Sequence, residues 1–177
     1  MTAPQRHVPP DIQHYLQGAT AESRQFEFLI GTWNVAATRF KPDGSVLIQY
    51  PAVWTAQYLN EGRMVMDDFR ALAADGQAIS SYVTLRTYCE TTHRWEMSGL
   101  AAGQPAGNAQ WHGNWLDCEM QLDAVGLDPS GRQVQTKIRF FDITHHSFAW
   151  ESRARIDDAE PWSLTASLLA TRAGQHE

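Results

Sequence analysis

From residue 31 onward the chain is a succession of short runs in which apolar and polar residues alternate with a period of two, each run closed by a turn signal. Period two is the side-chain period of a strand with one buried face, and no helix can satisfy it. Val46, Ile48, Tyr50, Ala52, Trp54, Ala56 and Tyr58 share one face of such a run. Val134, Thr136, Ile138 and Phe140 alternate with Gln135, Lys137 and Arg139, and Phe148, Trp150, Ser152, Ala154 and Ile156 alternate with Glu151, Arg153 and Arg155. Near the end, Trp162, Leu164, Ala166, Leu168 and Ala170 alternate with Ser163, Thr165, Ser167 and Thr171. Strong turns stand between the runs at Lys41-Pro42-Asp43-Gly44, Asn60-Glu61-Gly62, Ala74-Asp75-Gly76 and Asp128-Pro129-Ser130-Gly131. Further turns are expected at 142–146 and 157–158. The resulting strands fall near 32–40, 46–58, 63–72, 78–88, 93–100, 109–115, 118–127, 132–143, 147–156 and 161–172.

One apolar face per strand and short connections describe an antiparallel meander. An open sheet of that many strands would leave two long raw edges, and closing it removes them. An even number of strands lets the first and last pair antiparallel. The expected fold is therefore mostly β: an up-and-down antiparallel β-barrel of about ten strands, with a two-sheet sandwich as the alternative. Ten strands make a wider ring than the eight-stranded barrels that hold one small ligand, so a partly open interior is expected.

Residues 1–19 are polar and proline-rich and are expected to form a flexible arm. Thr20 is placed to cap a short helix over 21–29, with Glu22 in its first turn and Gly31 at its end. A single barrel domain over 20–173 and a tail at 174–177 complete the expected organisation. The chain has 14 Lys and Arg against 20 Asp and Glu, a net charge of −6. That balance disfavours nucleic acid, whose phosphates need a basic face. No apolar run reaches the roughly 18 residues that span a bilayer, so no membrane partner is expected. Met1 to Pro10 lacks the apolar stretch of a secretory signal, and two cysteines, Cys89 and Cys118, are too few for a disulfide framework. A cytoplasmic setting is the corresponding expectation.

Phe28-Leu29-Ile30-Gly31-Thr32-Trp33 resembles the Gly-x-Trp signature that opens the first strand of lipocalin-like (calycin) barrels. Gly62-Arg63 then opens a strand, and an aromatic last strand ends on Arg172. In this order the elements resemble the bacterial DUF1579 family of that superfamily, over about residues 25–173. The resemblance implies a barrel floor at which Arg172 lies over the Trp33 ring, a cation–π contact of about 1 kcal/mol. It also implies a cavity for a small molecule. Haem-binding relatives continue past their Trp with a glycine-rich stretch, whereas Asn34-Val35-Ala36-Ala37 follows here, so haem is not favoured.

Seven histidines are scattered, with no His-x-His, Cys-x-x-Cys or His-Glu-x-x-His spacing. No metal and no cofactor is expected, and His145-His146 are expected in a turn on opposite sides of the chain. Gly-x-Ser-x-Gly and phosphate-cradling glycine loops do not occur either. The carboxylates say more: Asp67 and Asp68 are adjacent on one strand, so one faces each side. An inward Asp67 in an apolar barrel would be a proton-transfer or polar-anchor candidate, with Arg39 and Tyr50 as its weak catalytic partners. The expected ligand-lining residues are Tyr50, Trp54, Trp95, Met97, Trp111, Ile138, Phe148 and Trp150, an aromatic wall with few polar groups. Tyr58 and Ser152 join Tyr50 as expected inward hydroxyls. Together these features suggest a binding protein for a small hydrophobic molecule. A cofactor-independent cyclase, isomerase or decarboxylase in the same cavity is the alternative, and a homodimer acting through the outer surface is left open.

Overall fold

The computed structural model describes residue 12 and residues 15–104, 110–128 and 130–174. His7, His14, His176, Pro129, residue 109, most of the 1–19 arm and the end of the tail lie outside the described residues. Ten strands follow one another: β1 (Gly31–Phe40), β2 (Val46–Leu59), β3 (Met64–Leu72), β4 (Ala78–Cys89), β5 (Arg94–Ala101), β6 (Gln110–Leu116), β7 (Glu119–Leu127), β8 (Gln133–Phe141), β9 (Ser147–Arg155) and β10 (Ser163–Arg172). Every strand pairs antiparallel with its neighbours in sequence, and β1 pairs with β10 from Trp33 opposite Arg172 to Arg39 opposite Ala166. That last ladder closes the ring and excludes the sandwich.

One end of the barrel is a solid floor. The chain enters it through two 3-10 turns, Ala21–Arg24 and Glu27–Leu29, in place of one continuous helical run over 21–29. The break between them turns Phe26 and Leu29 inward, and both are fully buried. Trp33 is fully buried above them, and its indole Nε1 donates to the Leu29 carbonyl at 2.8 Å. The Arg172 guanidinium lies 4.2 Å from the Trp33 ring centroid and donates to the carbonyls of His145 (2.8 Å) and Ile30 (3.0 Å). Gly31 explains the glycine of the Gly-x-Trp pattern twice over. Its φ of +121° is closed to ordinary side chains, and a Cβ there would lie 2.7 Å from the Arg172 Nη1. His145 and His146 occupy an exposed turn beneath this floor; their rings touch edge to face at 4.8 Å instead of parting to opposite sides. Arg63, at the start of β3, reaches down to the entering chain: it donates to the Gly18 carbonyl at 2.7 Å and to the Tyr15 carbonyl, with its guanidinium over the Tyr15 ring.

Two strands depart from simple alternation. In β10 the register shifts between Leu164 and Ala166, leaving Thr165 as a bulge whose hydroxyl donates to the Ser152 carbonyl at 3.0 Å. Below the bulge Ala166, Leu168 and Ala170 face inward as expected. Beyond it the faces swap, so Leu164 and Trp162 do not continue that row, and Trp162 instead packs between Lys137 and Arg155 on the outer wall. In β4 the polarity is inverted: Tyr82, Thr84, Arg86 and Tyr88 face the interior, while the 41%-exposed Leu85 faces out.

Candidate functional site

The floor-side half of the interior is filled with rings. Phe26 meets Trp95 edge-on at 4.7 Å, Trp33 meets Phe148 at 4.9 Å, and Trp54 lies 5.6 Å from Phe148 and 5.4 Å from Phe69. Such offset and edge-on contacts add to the burial of their area. Trp95, Phe148 and Trp54 are all 5% exposed or less, so these three expected lining residues are committed to the packed half.

Above that layer the inward positions become small or hydroxylic. Ala101, Ala124, Gly126, Ala154 and Ala166 alternate around the wall with Tyr50, Tyr82, Trp111 and Thr136. Tyr50, Phe69, Trp111, Ile138 and Trp150 are only partly buried there although their strands turn them inward. Ile48, inward opposite Arg39, is 48% exposed. The mouth of the barrel is the end at which turns join β1 to β2, β3 to β4, β5 to β6, β7 to β8 and β9 to β10. The register thus places Tyr50, Trp111, Ile138 and Trp150, all partly exposed, on the inner face, with the buried Met97 (5% exposed) directly across the ladder from Trp111.

The two halves meet at a buried ion pair. Asp67 is 1% exposed; its Oδ1 accepts from the Trp54 Nε1 at 2.7 Å and its Oδ2 pairs with the Arg86 Nη1. Arg86 is 4% exposed, and its guanidinium lies 5.0 Å from the Phe26 ring centroid. Burial pushes the Arg86 guanidinium down to about 9, and the touching carboxylate opposes that shift, so Arg86 keeps its charge at neutral pH. Asp67 is therefore the inward member of the acidic pair, and Asp68 faces out to Arg70 (3.0 Å) and the Ser81 hydroxyl (2.9 Å). The expected partnership of Asp67 with Arg39 is corrected: the antiparallel register of β3 and β4 supplies Arg86, and Arg39 stands exposed at the mouth. Sequence reading did not single out Arg86, whose face of β4 carries hydroxyl groups at Tyr82, Thr84 and Tyr88 while the aliphatic Val83 and Leu85 lie on the other face. The turn centred on Ala74–Gly76 held the signal, since folding the hairpin there sets Thr84 against Asp67 and Arg86 one step below.

Tyr82 adds a second buried polar group. Its hydroxyl has no hydrogen-bond partner among the described residues, and burial raises its pKa to about 12. Outside the barrel, a hollow of about 440 Å³ at the floor end is lined by Asp117, Cys118, Glu119, Asp142, Ile143 and Thr144. A smaller one of about 190 Å³ crosses β7, β8 and β9 over Glu119, Lys137, Arg139 and Glu151. The described residues hold no group of three or more His, Cys, Asp or Glu placed to bind a metal ion. No described helix is long and apolar enough to cross a membrane.

No protein-family model and no curated protein matches the sequence. Solved structures do match the fold. Rv2717c from M. tuberculosis superposes with a TM-score of 0.65 at 15% identity, covering 88% of this chain and 99% of that one. The S-type phycobiliprotein lyase CPES from Guillardia theta superposes with a TM-score of 0.59 at 10% identity, covering 90% of this chain and 97% of that one. At these identities the likeness shows the fold alone, a closed ten-stranded β-barrel.

Proposed function

We propose that the chain is a binding protein for a small, largely apolar molecule held in the mouth-side half of the barrel. The observation that carries this is the asymmetry of the interior. One half is closed by stacked rings and an ion pair, while in the other, inward aromatic and aliphatic side chains keep accessible surface. Apolar surface that folding leaves wet on a concave wall is what a small apolar ligand covers. Tyr50, Trp111, Ile138 and Trp150 would line that half, and Met97 would flank Trp111 from the neighbouring strand. The catalytic alternative needs an uncommitted acid or base inside the barrel. Asp67, its main candidate, is taken up by Arg86 and Trp54.

The test is titration with the neutral dye N-phenyl-1-naphthylamine, which brightens in apolar surroundings. Energy transfer from Trp111 and Trp150 should produce a saturable rise in dye emission with matching loss of tryptophan emission. A strictly linear response over the titration would refute an accessible interior.

Kinship with the DUF1579 family is part of the same proposal, supported by the Gly31-x-Trp33 opening and by Arg172 seated on Trp33. So is a cytoplasmic setting, which suits the free thiols Cys89 and Cys118. The proposed organisation is a single domain over 20–173 behind an arm at 1–19, with a short tail at 174–177.

A further inference from the structure

Among the described residues eleven are arginines, and ten of them hold a carboxylate or a backbone carbonyl with the guanidinium. Arg39 alone holds neither. It is also the arginine whose strand aims it at the interior wall of the mouth, between Ile48 of β2 and Ala166 of β10. Both neighbours are apolar, so the stem of Arg39 has a wall to lie along while its head stays in water. Three acids of the mouth-side turns are occupied within their own loops. Asp43 accepts from the backbone N–H and hydroxyl of Ser45, Asp75 from the Gln77 N–H, and Asp128 from Ser130 and Arg132. A chain of net charge −6 thus keeps, among its described residues, one uncommitted guanidinium, and it stands at the mouth of the barrel.

We propose that Arg39 is an anion anchor and that the ligand is an amphipathic carboxylate, bound tail first with its head at the mouth. This rests on the binding function proposed above and gives it a ligand class and an orientation. The opposite orientation would bring the carboxylate down to the Asp67–Arg86 pair, where the Arg86 guanidinium is already neutralised by a carboxylate. The depth also suggests a size. Val35 to Arg39 is four residues, or about 13 Å along a strand and about 10 Å along the axis of a barrel whose strands tilt by 35–45°. A chain of about eight carbons spans that depth.

The experiment displaces N-phenyl-1-naphthylamine with octanoate and, separately, with 1-octanol, whose tail is the same and whose head is uncharged. The native protein should be cleared of dye by about tenfold less octanoate than octanol, since a guanidinium–carboxylate contact is a charge-assisted hydrogen bond. Arg39→Gln should bring octanoate to the octanol value and leave octanol unchanged, and Arg39→Lys should keep part of the preference. High salt should shrink the preference, because the pair sits in water. Arg39 is exposed, so the variant should share the native denaturation midpoint. An unchanged octanoate preference in Arg39→Gln overturns the anchor while the pocket stands, as does equal displacement by both probes in the native protein. Bound dye that neither probe displaces overturns the ligand class. Failure of the dye itself to bind overturns the binding function and the anchor together.

Discussion

Replacing Arg86 by Met removes one charge from the sealed pair and little volume. The structure makes the consequence specific. Asp67 would keep the Trp54 indole N–H at 2.7 Å on Oδ1, but its Oδ2 would face an apolar interior with no cation. Breaking a buried ion pair on one side costs about 3–5 kcal/mol, because the charge left behind has lost its solvent and its partner. For a chain of this length that corresponds to a fall in Tm of roughly 6–20 °C. Asp67→Asn, which keeps an acceptor for Trp54 but strands the Arg86 charge, should cost a similar amount. The double variant Asp67→Asn/Arg86→Met holds no charge in the interior and keeps the Trp54 acceptor, so it should lie within about 1–2 kcal/mol of the native protein. Urea denaturation of all four proteins closes a double-mutant cycle, with an expected coupling of at least about 2 kcal/mol. Single losses that simply add in the double variant would show that the two side chains do not touch, and the division of the barrel into two halves would lose its boundary.

Trp33→Ala should cost about 3–5 kcal/mol by denaturation, since a fully buried indole leaves a cavity under Arg172, and an unchanged midpoint would place Trp33 outside the core. In Gly113→Ala the new Cβ would meet the Gln121 carbonyl oxygen of β7 at 1.9 Å, a backbone atom that cannot turn aside. A loss of about 1–3 kcal/mol or more is expected, with deprotection of β6 and β7 amides in hydrogen exchange; native protection there would contradict the close approach of the two strands. Tyr82 should ionise near 12, well after an ordinary phenol near 10, in an ultraviolet alkaline titration that loses its last step in Tyr82→Phe. Because the folded pKa is the higher one, Tyr82 contributes its full stabilisation below pH 10 and loses it as pH climbs from 10 to about 12. Equal alkaline stability of Tyr82→Phe and the native protein would refute that assignment.

Turn chemistry and period-two patterning made the ten strands legible, with boundaries correct to within about two residues at each end. The closure of β1 on β10 followed from an even strand count. The interior was less legible where the pattern misled. Trp162 and Leu164 seemed to extend the inward row of β10, but one extra residue at Thr165 reversed the faces, and nothing local announces a bulge. On β4 the aliphatic Val83 and Leu85 lie on the outer face, and the register turns Tyr82, Thr84 and Arg86 inward. A buried charge is readable only with its partner, and the partner of Asp67 lies across a hairpin whose register the turn alone had to supply. The short helical entry was visible in composition, but its break into two 3-10 turns depends on Phe26 and Leu29 finding the floor, a tertiary demand.

The seam between β1 and β10 has a consequence for how the molecule is made. Trp33 and Arg172 are opposite each other in the ladder yet belong to the first and last strands, so a nascent chain that stops short of β10 lacks the seam. Until Leu168–Arg172 leaves the ribosome, the nascent sheet carries two unpaired edges, with Trp33 lacking its guanidinium lid on one of them. Contacts of such long sequence separation form slowly, and raw edges invite pairing with other chains. The ten residues of β10 therefore act as a clasp: their pairing with β1 turns a sticky ribbon into a closed vessel.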